Sequence, residues 1–263
     1  SDLEKFKNDN STNILTKFGI KLRMEYEFLE FHNVSDNGKL HENFIKDLVA
    51  SKLNILNILA EIISDKKNKI KVKFSRCSSY KNVYTVVISC HFDAILIKLG
   101  KKYNFPRGFP CIWVPGNMVK LCGFYPKFDN DNRQTPDEEG EFMGVDAIRF
   151  FKKWSGFLGQ LLVYSLPMES DKKNIFWSVC SKNSACWESD FVKDAYRLFK
   201  PILTNETLEA IHQENFHLCA EMLSYEDQNH GAKVLIESPI VTSIGRGCCK
   251  KLEEGNNHQS DLM

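Results

Sequence analysis

Two short apolar runs, residues 111–114 and 119–123, stand either side of Pro115-Gly116-Asn117. Proline and glycine make that tripeptide a turn, and so short a connection returns the chain antiparallel to itself. A hairpin in the middle of the chain therefore sets the first constraint: the sheet around it is antiparallel there. The neighbouring patterns extend it. Residues 83–90 are rich in β-branched side chains and predict a strand, and residues 175–181 predict an antiparallel partner for the apolar stretch that ends at Ser165. Helical spacing runs through 43–63, on Ile45, Leu48, Val49, Leu56, Leu59, Ile62 and Ile63. Residues 94–99 fit helix or strand equally. Ser189 or Asp190 caps a helix to Phe199, closed by Pro201, and Thr204 or Asn205 caps another to about Phe216. Residues 217–225 then alternate, with Leu218, Ala220 and Met222 on one face and His217, Cys219, Glu221 and Leu223 on the other. Short strands follow at 233–236 and 240–244. Turns are read at 8–12, 33–38 and 169–174, a polar acidic loop at 129–140, and a disordered tail at 250–263. Hairpins interspersed with helices give an α+β class with largely antiparallel sheets.

The chain has 263 residues, 43% of them hydrophobic, enough to bury the core of one large domain. Lys and Arg together number 35 against 34 Asp and Glu, a net charge of +1. A whole-surface basic field is thereby excluded, so a nucleic-acid partner would be met by a local patch. One such patch is the run Lys66, Lys67, Lys69, Lys71, Lys73, whose second half alternates with Ile70, Val72 and Phe74 as a strand would. A solvated strand face and a phosphate contact both fit it. No apolar run reaches membrane-spanning length, and Ser-Asp-Leu-Glu-Lys at the start is not a leader pattern. The nine cysteines form no Cys-x-x-Cys pair and no zinc spacing. An intracellular, reduced protein without a structural metal is the expectation.

The stretch with the most chemistry is Phe150-Phe-Lys-Lys-Trp-Ser-Gly-Phe-Leu-Gly-Gln-Leu-Leu-Val-Tyr-Ser165. Lys153 precedes an apolar strand, and Gly156 admits close approach of backbone or ligand. A lysine so placed can attack a phosphoanhydride if burial or neighbouring cations keep its amine neutral. Four further stretches surround it in order. They are Pro106-Arg107-Gly108-Phe109, Cys122-Gly-Phe-Tyr-Pro-Lys127-Phe128-Asp-Asn130, Ser181-Lys182-Asn183-Ser184 and Cys219-Ala-Glu221.

In order and spacing these five stretches, over about residues 105–230, resemble the adenylyltransferase domain of the phage RNA ligase and fungal tRNA ligase group. The resemblance implies an α+β nucleotidyltransferase (ATP-grasp-like ligase) domain over 69–249, with a helical and mixed segment, 1–68, packed on its core. It implies an ATP-dependent RNA ligase, with Lys153 as the nucleophile that takes AMP. Arg107 and Lys127 would grip phosphates, with Phe128 shaping the turn, Gly156 beside the nucleotide and Lys182 adding a phosphate contact. Glu221 would hold the ribose or a metal-bound water. ATP and Mg²⁺ are the implied cofactors and RNA 5′-phosphate and 3′-hydroxyl ends the implied partners, in RNA repair or tRNA splicing. The chain departs from the pattern at Ser155, where the group has Asp or Asn, and at Asp129. After Glu221 it shows only Glu253-Glu254-Gly255 in place of the later Glu-Gly and Lys-x-Lys motifs. Those departures favour an alternative: a relative that binds nucleotide or RNA ends without ligating.

Overall fold

The computed structural model describes residues 25–35, 38–124, 154–167, 174–227 and 235–246. Within them lie ten strands, five α-helices and two short 3₁₀ turns. Sheet B has the order β2 (Phe31–Asn33), β3 (Ile70–Cys77), β4 (Tyr84–Cys90), β5 (Phe109–Val114), β6 (Asn117–Leu121), all antiparallel. Sheet A has the order β1 (Tyr26–Phe28), β8 (Ile175–Ser181), β7 (Phe157–Tyr164), β9 (Phe216–Leu223), β10 (Ser238–Arg246). Only the β1–β8 pair is parallel. The α+β class with mostly antiparallel sheets flanked by helices holds.

The layers follow from which strand faces are apolar. On sheet B, Phe74, Val86, Ile88, Cys111 and Trp113 pack under Phe44 and Leu48 of α1 (Gly38–Ala50), Leu56 and Leu59 of α2 (Asn54–Ser64) and Leu96 and Leu99 of α3 (Asp93–Tyr103). On sheet A, Leu161, Val163, Trp177, Val179, Ala220 and Met222 pack under Val192, Ala195 and Phe199 of α4 (Asp190–Phe199) and Leu208 and Ile211 of α5 (Asn205–Gln213). The other two faces meet each other through Phe31, Val87, Ile112, Leu162, Tyr164, Phe176 and Cys180. The order is helices, sheet, sheet, helices. Strands β4 and β8 are covered on both faces, and every residue of each is buried.

Local signals explain most element ends. The hairpin turns at Pro115-Gly116, where Gly116 has φ +86°, a conformation that glycine adopts without steric cost. α3 closes at Asn104 in the left-handed region, its N–H reaching the Leu99 and Gly100 carbonyls. Thr204 caps α5 by accepting from the Thr207 amide at 3.2 Å.

Four expectations are corrected. The helical pattern over 43–63 forms two helices, because Ser51 turns its hydroxyl onto the Leu53 amide at 3.1 Å and diverts the backbone. Residues 26–28 and 31–33, read within a polar mixed segment, are strands that join different sheets, their pairing supplied by distant partners. The helix expected to reach Phe216 ends at Gln213, with Asn215 left-handed before β9 begins. Leu235 and Ile236 are exposed and outside any strand, and β10 is one strand from Ser238. Residues 94–99 are helical within α3. The expectations for 8–12, 129–140 and 250–263 lie outside the described residues, as does nearly all of 169–174.

Candidate functional site

β7 is the central strand of sheet A, and its first residues set the geometry. Phe157 pairs with Met222, Leu158 with Glu221, and Gly159 with both Ala220 and Ser181. The entry to β7 is thus flanked by Glu221 on one side and the end of β8 on the other, with Lys182 directly after it. Strand alternation turns Ala220 and Met222 toward the helices, so Cys219 and Glu221 face sheet B.

Gly156 is required by packing. A Cβ there would lie 2.3 Å from the Met222 carbonyl oxygen, which is backbone and cannot swing aside. With hydrogen in that place the chain lies against β9, and the Gly156 amide donates to Glu221 Oε1 at 3.0 Å. Glu221 therefore fixes the backbone three residues after Lys153.

Gly108 does the same across the sheets. A Cβ on it would sit 2.6 Å from the Lys182 carbonyl oxygen, so the Arg107-Gly108 corner of sheet B abuts the end of β8. The Gly108 carbonyl accepts from the Phe124 amide at 3.0 Å. The spacing of Ser181-Lys182-Asn183-Ser184 has a physical reason: the Ser181 amide and hydroxyl both donate to the Ser184 carbonyl, at 2.8 and 3.2 Å, closing a turn that presents Lys182 and Asn183. Among the described residues Asn183 Oδ1 is buried and finds no hydrogen-bond donor. His91, just beyond β4, is held below the usual imidazole range by burial, then by the charges of Lys71, Lys182 and Lys73. Lys71 stands opposite Ser89 and Ile88 opposite Phe109, so the end of β4 that leads to His91 lies next to the strand that follows the Arg107-Gly108 corner.

Behind this mouth the seam between the sheets is polar. The Gly123 carbonyl accepts from Gln160 Nε2 at 3.3 Å and lies 3.2 Å from His217 Nε2 and 3.8 Å from Cys219 Sγ. Burial, aided by the Lys120 charge, drives His217 down to about 4. Lys120 is itself buried and donates to Asn215 Oδ1 at 2.7 Å and to the Asn215 and Phe216 carbonyls at 3.1 and 3.0 Å. The segment leading toward Lys127 is in this way tied to sheet A as far as Gly123.

Of the residues singled out from sequence, Arg107, Gly156, Lys182 and Glu221 gather around the entry of β7. Lys153, Lys127 and Phe128 lie outside the described residues. Asn183, inside the marked stretch Ser181–Ser184, and His91, directly after the strand read at 83–90, were given no role from sequence. Among the described residues no group of three or more His, Cys, Asp or Glu side chains could hold a metal ion. Glu221 is the carboxylate that β9 brings to the entry of β7, and it suits an ion carried chiefly by phosphate oxygens and water, as Mg²⁺ commonly is. A separate groove of about 760 Å³, lined by His32, Lys39, Arg76, Lys81 and Tyr84 among others, opens at the β2 edge of sheet B. Arg107, Gly156, Lys182 and Glu221 do not line it. No protein-family model, curated protein or solved structure matches the chain.

Proposed function

We propose that this chain is an ATP-dependent RNA ligase that charges Lys153 with AMP and passes it to an RNA 5′-phosphate before joining that end to a 3′-hydroxyl. The observation that carries the reading is the convergence at the entry of β7. The Arg107-Gly108 corner, the Lys182 turn and the Glu221–Gly156 bond come from four separate parts of the chain and meet where the strand after Lys153 begins.

In the first step the neutral Lys153 amine attacks the α-phosphorus of ATP. The P–N bond forms as the bond to the bridging oxygen breaks, pyrophosphate leaves with the electron pair, and the amine proton passes to solvent. Arg107, Lys127 and Lys182 supply positive charge for the phosphate oxygens, and their field also favours the neutral amine. Glu221 positions the backbone after the nucleophile through the Gly156 amide. Gly156 and Gly108 keep the backbone close. Asn183 Oδ1 is an acceptor suited to a nucleoside hydroxyl or amine. Mg²⁺, carried by the nucleotide with Glu221 beside it, would neutralise phosphate charge. The setting for such a reaction is intracellular.

Incubation with α-labelled ATP and Mg²⁺, then denaturing electrophoresis, tests this. A labelled band from the native sequence that is lost in Lys153→Ala is the expected result. Folded protein that binds ATP without taking label would overturn it. The reading would then be a nucleotide- or RNA-end-binding relative, which Ser155 favours. Charging by GTP, or sealing of nicked duplex DNA, would instead point to a capping-type or DNA-ligase enzyme.

A further inference from the structure

β3 carries two cations, Lys71 and Lys73, to which the nucleotide chemistry assigns no part, and β4 between them and the Arg107-Gly108 corner pairs with both β3 and β5. Lys71 and Lys73 alternate along β3 with Ile70, Val72 and Phe74, which pack toward the helices, so both lysines point to the opposite face, and both are exposed. The register sets Lys71 opposite Ser89 and Lys73 opposite Val87. Two residues along a strand separate them by about 7 Å. The next turn of chain after β4 brings His91 and then Phe92, a large apolar residue left 54% exposed. Lys182, which already has a phosphate contact above, lies with its carbonyl against Gly108 at that corner.

The charges bearing on His91 are all cationic, from Lys71, Lys182 and Lys73. Asp93, in the first turn of α3, is the nearest carboxylate in sequence. Two ammonium groups in a row on an exposed strand face, with an exposed aromatic residue two positions beyond Cys90, which pairs with Ile70, suit an extended chain of phosphates with bases between them. A compact polyphosphate would be cupped, and would leave the ring unused. Stacking on an aromatic face and backbone neutralisation by lysine are the two elements by which proteins hold single-stranded nucleic acid.

We infer that Lys71, Lys73 and Phe92 form a platform that holds single-stranded RNA leading to the site at the entry of β7, the lysines on successive phosphates and Phe92 under a base. The substrate class rests on the ligase reading above. The platform itself rests on β3, β4 and the His91-Phe92 corner.

The experiment is equilibrium binding of a fluorescent, 5′-phosphorylated single-stranded RNA oligonucleotide to the full chain, by anisotropy, over a series of salt concentrations. The Lys71→Ala/Lys73→Ala variant is expected to bind at least about tenfold more weakly. Its log–log salt dependence should be shallower by about 1.4, two phosphates at roughly 0.7 each. Phe92→Ala should weaken binding with the salt slope unchanged, and Phe92→Trp should restore it. Lys101→Ala/Lys102→Ala, which removes two exposed lysines at the other end of α3, should bind as the native chain does. Circular dichroism and melting confirm that each variant is folded. The inference is overturned if the native chain does not bind the RNA. It is equally overturned if the Lys71/Lys73 variant keeps affinity and slope, or if the Lys101/Lys102 variant loses as much. ATP charging of Lys153, measured in parallel, bears on the ligase reading alone: RNA binding that depends on the platform in a chain that takes no label would keep this inference and remove that one.

Discussion

Two glycines of β7 and its approach show how the same residue type carries different weight. At Gly156 an added methyl meets the Met222 carbonyl at 2.3 Å, whereas at Gly159 it meets Met222 Cγ and Sδ at 2.6 and 2.7 Å. A carbonyl is fixed by the ladder, but a methionine side chain can rotate away. Gly156→Ala should therefore cost at least about 2 kcal/mol of stability and Gly159→Ala about 1 kcal/mol. Urea denaturation of both variants checks the order, and equal losses would contradict it. Gly156→Ala should also abolish ATP charging, since it displaces the amide that Glu221 holds. At this scale the sequence was informative about residue type and poor about partner. That Gly156 needed close approach was legible. That the approaching atom is the Met222 carbonyl depends on β7 and β9 being neighbours, and nothing local to residue 156 encodes it.

Elements were legible where their signals were local. The Pro115-Gly116 turn, the Thr204 cap and the alternation of β9 all depend on residues within a few positions of each other. Strands β1 and β2 have only three residues each, too few to show a period, and they exist because β8 and β3 offer open edges to pair with. Joining elements across the seam falls to Lys120, which β6 extends onto the Asn215–Phe216 corner at the start of β9. A lysine in the middle of a hairpin strand gave no hint of being buried. Lys120→Ala removes the donor from three acceptors and should destabilise the fold by about 3 kcal/mol. Lys120→Met keeps the aliphatic packing and should cost about half as much. A Lys120→Ala chain within about 0.5 kcal/mol of the native one in urea would show that water replaces the ammonium.

At the scale of the molecule the described residues form two sheets face to face, and their seam sets how stability responds to pH. His217 lies in that seam, neutral, its ring against Gly245 and its Nε2 beside the Gly123 carbonyl. Burial lowers it from 6.5 to about 4, while the unfolded chain protonates normally. A lowered folded value means the unfolded state binds the extra proton first. The contribution is thus fully present above about pH 6.5 and is lost as pH falls toward 4, amounting to about 3 kcal/mol. Unfolding free energy measured at pH 7 and pH 4.5 should show most of that loss. His217→Gln should remove this part of the pH dependence whatever its own effect on stability. At the seam's outer edge the opposite sign holds: the Glu188 hydrogen bond, with Glu30 on the other ring nitrogen, raises His32 above the usual imidazole range. That residue is largely exposed, so its share is small.

The sequence by itself determined the class of fold, the central hairpin and most strand and helix positions. These follow from periodicity and turn chemistry, both of which are written along the chain. Only the tertiary structure decided which strands share a sheet, that Glu221 holds the Gly156 amide, and that Gly108 abuts the Lys182 carbonyl. Sheet order and the meeting of two faces are selected by burying apolar area among segments up to about 150 residues apart, as β1 and β8 are. That selection belongs to the sum of all the packed faces, and no short stretch of sequence carries it.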